Sequence, residues 1–391
     1  MRTDSFAFIV LLGALAALPP LSIDIGLPAF GYLKAGLGVS AAQAAWTLSI
    51  FMAGFGLAQI VVGPLSDRFG RRPVMLTGLA LFTASGLGCA LAPSIEVLLG
   101  FRLLAGIGAA GSSTLALAVA RDLFEGHDAR VKLSTIATVT TIAPMIGPTL
   151  GGLLLIFGEW RFIYAFLAAA GVVQFALAYV LLAETRPPQV GAKIAILGRY
   201  AAVLRVRRTV GYALVNGFGS AGMFAYIAVS SVLLMGDMGA SVWLFSVLFA
   251  TTSGGIMLGA QINAALARRR VRAQIPLAIA QYAAPVASLA GLVVLATGPT
   301  LATFVPTVVA FCVCRGLANP NGTHAAMERV PNHAGTAASL LGCVQMTSAA
   351  IAGGVVAALH PLVGSTATGI GMLGCSLASL AVWLWVERTA P

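Results

Sequence analysis

Charge is what this chain lacks: only 9% of its 391 residues are Asp, Glu, Lys or Arg, and the acids number 12. Soluble domains carry roughly a quarter charged residues, so a chain this depleted cannot be solvated on all sides. No G-x-x-x-x-G-K-[ST] loop occurs, which leaves direct ATP drive without a phosphate cradle. H-E-x-x-H and G-x-S-x-G are absent too, and no span-embedded histidine stands beside a nucleophile, so an intramembrane enzyme has no residues to use. The histidines, His127, His324, His333 and His360, lie far apart without ligand spacing. All five cysteines fall inside apolar stretches, where they act as small packing residues. No metal, disulfide or cofactor is expected. Alternating segments of about ten residues, the mark of a transmembrane β-barrel, are missing as well.

What is present is apolar length. Hydrophobic residues make up 59% of the chain and the mean hydropathy is +0.95. Twelve apolar stretches succeed one another, near 6–28, 42–63, 74–93, 96–120, 133–157, 161–183, 209–234, 242–266, 274–297, 300–320, 335–359 and 363–386. Each is long enough to cross a bilayer as a helix, whose backbone groups are satisfied internally. Met1 to Pro20 has the layout of a signal peptide, but it lacks a clear A-x-A site and precedes further spans, so it is expected to remain as the first helix.

The net charge of +11 belongs to topology rather than to nucleic acid. With the N-terminus in the cytoplasm, nineteen Lys and Arg residues fall on that side and only Lys34 and Arg161 on the other. That bias predicts an inner-membrane protein with both termini cytoplasmic. The stretch 184–208 carries Pro187, Pro188 and six basic residues and reads as a linker between six-helix bundles at 1–183 and 209–391. Gly63, Asp67 and Arg72 recur as Gly259, Asn263 and Arg268 at one constant spacing, which suggests an internal repeat with the acid lost from its second copy.

Chemistry-bearing residues concentrate in the first half. Gly63-Pro-Leu-Ser-Asp-Arg-Phe-Gly-Arg-Arg-Pro73 packs Asp67, Arg68, Arg71 and Arg72 into the turn between two spans. Asp67 and Arg71 stand four apart, close enough to pair, and Gly63 and Gly70 admit close approach or a tight turn. Asp24 is the one acid read inside an apolar stretch. Such a group costs about 2.5–3.5 kcal/mol to insert, so it faces a wet cavity and serves a function, or else lies solvated near the outer interface. A proton and a cationic substrate are natural competitors for one carboxylate. Arg102 sits in the fourth span, either lining a cavity or snorkelling to the outer interface. Ala143-Pro-Met-Ile-Gly-Pro-Thr-Leu-Gly-Gly152 combines bends at Pro144 and Pro148 with close-contact sites at Gly147, Gly151 and Gly152. Arg315, near the cytoplasmic end of the tenth span, reads as snorkelling or, as the lesser alternative, as facing a cavity, and Asn319-Pro-Asn321 as either a turn that ends the helix or a motif.

The run at 63–73 resembles motif A of the major facilitator superfamily. The segments around Arg102 and at 143–152 resemble its motifs B and C, the last associated with antiporters. With the Asp24 region, Arg121-Asp122 and the segments at 317–322 and 334–345, nearly the whole chain is similar to the bicyclomycin/chloramphenicol-resistance (Bcr/CflA) subfamily. Ala105 stands where the family usually has glutamine, Gly26 where the subfamily has tyrosine, and Phe30 where it has proline. The resemblance implies an all-α major facilitator fold with 12 transmembrane helices in two halves. It implies a monomeric drug:proton antiporter that takes small molecules and protons and binds no nucleic acid. Asp67, Arg71 and Asp122 would then latch the cytoplasmic side, and Asp24 with Arg102 would couple protons to substrate. A dedicated metabolite exporter or a nutrient transporter fits the same motifs.

Overall fold

A computed structural model of the chain describes residues 6–124, 126–185, 196–330 and 333–388, without the side chains at 126–131, 196–197 and 334. The helices are α1 (Phe6–Asp24), α2 (Phe30–Leu37), α3 (Ala41–Phe69), α4 (Arg71–Ala90), α5 (Ile95–Leu123), α6 (Gly126–Leu154) and α7 (Arg161–Leu181). They continue with α8 (Ile196–Leu204), α9 (Arg207–Ile227), α10 (Val242–Arg268), α11 (Gln274–Thr297), α12 (Leu301–Met327), α13 (Ala334–Val363) and α14 (Thr366–Arg388). Among the described residues, twelve spans are long and apolar enough to cross a membrane, as expected. Residues 186–195 of the expected linker, with Pro187 and Pro188, lie outside the described residues, and α8 occupies most of the linker's second half.

Local sequence sets the ends. Ser40 and Gln43 cap each other's backbone before α3, and Thr300 and Thr303 form the equivalent box before α12. Several spans outrun their expected bounds, the first and the tenth furthest. The first extends to Leu37, because a 3-10 turn at Leu27–Ala29 accepts Pro28 near its start and leads directly into α2. The tenth runs through Pro320 to Met327 instead of stopping at Asn319-Pro-Asn321. Asn321 there donates its side-chain amide to the Leu317 carbonyl at 2.8 Å, bracing the turn that proline weakens.

The chain divides into two compact units, one of Met1–Val39 with Ile50–Ile196 and one of Ser40–Ser49 with Leu197–Pro391. In the first unit α1 packs on α5 and α6, while α4 packs on α5 and α7. In the second, α9 packs on α12 and α13, while α11 packs on α12 and α14. The schemes correspond span for span. One difference is that α9 also packs extensively on α14, whereas the matching pair α1 and α7 barely meets. Small residues fix matching crossings: a Cβ at Gly54 or Gly106 would strike the backbone carbonyl of Leu103 or Phe51, and one at Gly259 or Gly316 that of Val313 or Ile256. In packing, Gly259 therefore takes the place of Gly54, whereas the sequence spacing had matched it to Gly63.

Candidate functional site

Two clusters in the first unit gather the expected residues. The deeper one is built on the end of α1. Asp24 is 3% exposed, its Oδ1 is fully buried without a hydrogen-bond partner, and it makes no ion pair among the described residues. A further turn and α2 come after it within the same span, and its burial removes the solvated reading.

Arg102 of α5 is equally buried, at 3% exposed, which also removes its snorkelling alternative. Its guanidinium donates to the Ser22 hydroxyl at 3.1 Å and the Ser22 carbonyl at 3.3 Å. It lies over the Phe51 ring at 4.3 Å and the Tyr164 ring at 5.7 Å, faces that offset part of its lost hydration. Ser22 and Asp24 are two residues apart on a helix and so point to different sides. Arg102 approaches α1 from α5, and Asp24 meets α6.

That contact is made by the antiporter-like segment. A Cβ at Gly147 would come to 3.0 Å from the Asp24 Cβ, and one at Gly151 would strike the Ile25 carbonyl. Only hydrogen at these two α-carbons lets α6 lie this close to Asp24. Gly147, Pro148, Gly151 and Gly152 are buried and Pro144 partly so, all within α6.

The second cluster lies where α3 ends and α4 begins. Arg71, with a side chain 9% exposed, pairs with Asp67 at 3.1 Å and with Asp122, near the end of α5, at 3.1 Å. Its guanidinium also donates to the Ser66 hydroxyl, which in turn donates to the Gly63 carbonyl. Thr185 donates to Asp122 from beyond α7. Arg68 lies over Phe69, and Arg72 donates to the Tyr179 carbonyl at 2.7 Å while lying over the Tyr179 ring. Of the motif residues of this turn, Asp67 and Arg71 are thus brought together with Asp122, whereas Arg68 and Arg72 point to Phe69 and Tyr179 instead.

Glu184 was not anticipated. Its carboxylate accepts from the backbone N–H groups of Arg71 and Arg72 at 2.8 and 3.1 Å, capping the start of α4 from 112 residues away along the chain. Gly70, at φ 97°, makes the turn and leaves the room this carboxylate occupies. The sequence signal was only an acid opening a basic stretch.

In the second unit Asn263 accepts from the Asn321 amide at 2.7 Å, an uncharged pair between α10 and α12. Arg315 corrects its snorkelling reading: it is 7% exposed and donates to Ser220 at 3.0 Å inside the unit. The glycine at 219 and the serine at 220 give it a place to turn inward, where an alkyl side chain would force it out.

Comparison with known proteins agrees with this architecture. The Major Facilitator Superfamily sequence model matches residues 10–354. An uncharacterized MFS-type transporter of Bacillus subtilis, YdgK, is 32% identical over 97% of this chain and 94% of its own. A bicyclomycin resistance protein homolog of Haemophilus influenzae is 29% identical over 92% of this chain and 90% of its own. Among solved structures, a bacterial homologue of the human lysosomal transporter Spinster superposes with a TM-score of 0.76 at 16% identity, covering 100% of this chain and 98% of that one. The chain belongs to the major facilitator superfamily, similar to its bicyclomycin-resistance group. It is a multi-pass membrane efflux transporter and not an enzyme.

Proposed function

We propose that this member of the superfamily is a drug:proton antiporter of the bacterial inner membrane, monomeric and with both termini cytoplasmic. It exports small amphipathic compounds against an inward flow of protons. The observation that carries this reading is Asp24: a buried carboxyl, without partner, in the first span and in contact with the antiporter-like glycines of α6. A buried carboxyl gives up its proton only where water or a cation replaces the solvation it lacks. Alternating access supplies that replacement on one side at a time, so proton and substrate displace each other.

Arg102 places a fixed positive charge on the same stretch of α1, through Ser22. It favours release of a proton or a cationic substrate once the cavity opens. The network of Asp67, Arg71 and Asp122 is read as the latch of the cytoplasmic side, and the nineteen-to-two bias of basic residues supports that orientation. The driving force is adequate: one pH unit supplies about 1.36 kcal/mol and 100 mV about 2.3 kcal/mol per proton.

The test is pH-gradient-driven uptake of phenicols and tetraphenylphosphonium into sealed proteoliposomes. Wild type is expected to accumulate a panel member only with the gradient imposed, and Asp24→Asn to lose that dependence. Full coupling in Asp24→Asn overturns the assignment, and a wild type that moves no panel member favours a dedicated metabolite exporter.

A further inference from the structure

The transport reading leaves Arg315 of α12 without a task, and its surroundings are unlike those of Arg102. Its Nη2 donates to Ser220, its Nε is buried without a partner, and no carboxylate pairs with it among the described residues. Among those residues, neither a carbonyl oxygen nor a ring face offsets the charge as they do at Arg102. Beside it lies a cavity of about 20 Å³ within the second unit, lined among others by Gly219, Gln281, Phe311, Ser376 and Ser379. That is room for one particle of about water's size. A Cβ at Gly219 would strike the guanidinium, so glycine gives the arginine this position.

The polar groups at the cavity leave donors over. Ser379 spends its hydroxyl proton on the Gln281 side-chain carbonyl or on the Val215 carbonyl, and the Gln281 amide N–H groups have no acceptor among the described residues. Ser376 spends its hydroxyl proton on the Leu373 carbonyl or on Ser288. A water molecule would satisfy an N–H but leave a buried positive charge uncompensated, which is the costlier defect. A monovalent anion of similar size does both.

We propose that the cavity beside Arg315 binds one small monovalent anion, of chloride size, as the internal counter-ion of the second unit. The site is separate from Asp24 and stands or falls independently of proton coupling. It also makes the stability of the transporter chloride-dependent.

The experiment compares melting of the full-length detergent-solubilised protein in sodium gluconate and in rising sodium chloride at constant ionic strength. Wild type is expected to melt about 2–4 °C higher in saturating chloride, with bromide substituting. Arg315→Met is expected to lose the chloride response. Gln281→Leu keeps the charge and loses a donor, so its half-saturating chloride concentration rises about tenfold. Crystals grown in bromide are expected to show an anomalous peak within hydrogen-bond reach of Arg315. Identical melting of wild type in both salts, an undiminished response in Arg315→Met, or only water at the cavity in bromide crystals overturns the proposal. If Arg315→Met does not fold, the Gln281→Leu titration and the bromide crystals decide it.

Discussion

The two units share a helix-pairing scheme and differ in the chemistry placed on it. Where α3, α4 and α5 come together in the first unit, Arg71 holds Asp67 and Asp122 in one ionic cluster. Toward the matching ends of α10 and α12 in the second, Asn263 and Asn321 share a neutral amide hydrogen bond. Buried arginines differ likewise: Arg102 is pinned to the α1 turn that carries Asp24, and Arg315 faces a small internal cavity. Close helix crossings are a packing requirement that both halves must meet, so small residues recur at them. Charges are costly in a membrane and are kept where they act, so the acids of the Arg71 cluster have no charged counterpart in the Asn263–Asn321 pair. On this reading the first unit carries the switch and the second is the scaffold against which it works.

The largest effect expected from breaking this asymmetry is at Asp24, where Asp24→Asn should reduce gradient-driven transport to that of protein-free vesicles. Next come the polar clusters of the two units. Asp67→Asn leaves Arg71 with one acid, and loss of one member of a partly buried pair is worth about 1–3 kcal/mol. A transport rate lowered about tenfold is expected, whereas Asn263→Ala should stay within about twofold of wild type. Equal losses at both positions, read as initial rates in the same vesicles, would erase the distinction between switch and scaffold.

Packing predicts the opposite, a symmetry. Gly106→Ala and Gly316→Ala each push a methyl group against a partner-helix carbonyl and should each destabilise by about 1–3 kcal/mol. Gly254→Ala, with nothing near its added carbon, should be neutral. Melting temperatures of the three variants check this. The smallest effect is expected from Glu184→Gln, which keeps a capping oxygen but removes charge from the start of α4, at about 0.3–1 kcal/mol and less in high salt.

Much of this was legible in the sequence because it rests on local signals. Apolar length set the twelve spans, and fixed spacing in the turn after the second brought Asp67, Gly70 and Arg71 into view. What was missed depends on contacts across the chain or on how a proline is accommodated. The first span was expected to stop near Pro28, yet a 3-10 turn absorbs the proline, the span continues to Leu37, and Asp24 is buried rather than solvated. Pro320 likewise fails to end α12, which continues to Met327 with Asn321 tied back to the Leu317 carbonyl. Glu184 caps α4 from the far end of the unit, a pairing that no local pattern announces. The inward turn of Arg315 depends on what stands at 219 and 220, on a helix far from it along the chain.

The central claim is that proton and substrate compete for the Asp24 carboxyl. It is tested most directly by monitoring the pH of a lightly buffered solution of purified transporter as tetraphenylphosphonium, or whichever phenicol the vesicles accumulate, is added. Wild type should release protons in proportion to the compound bound, and Asp24→Asn should release none for whatever compound it still binds. Equal release from both proteins would contradict the account and move the proton to another group.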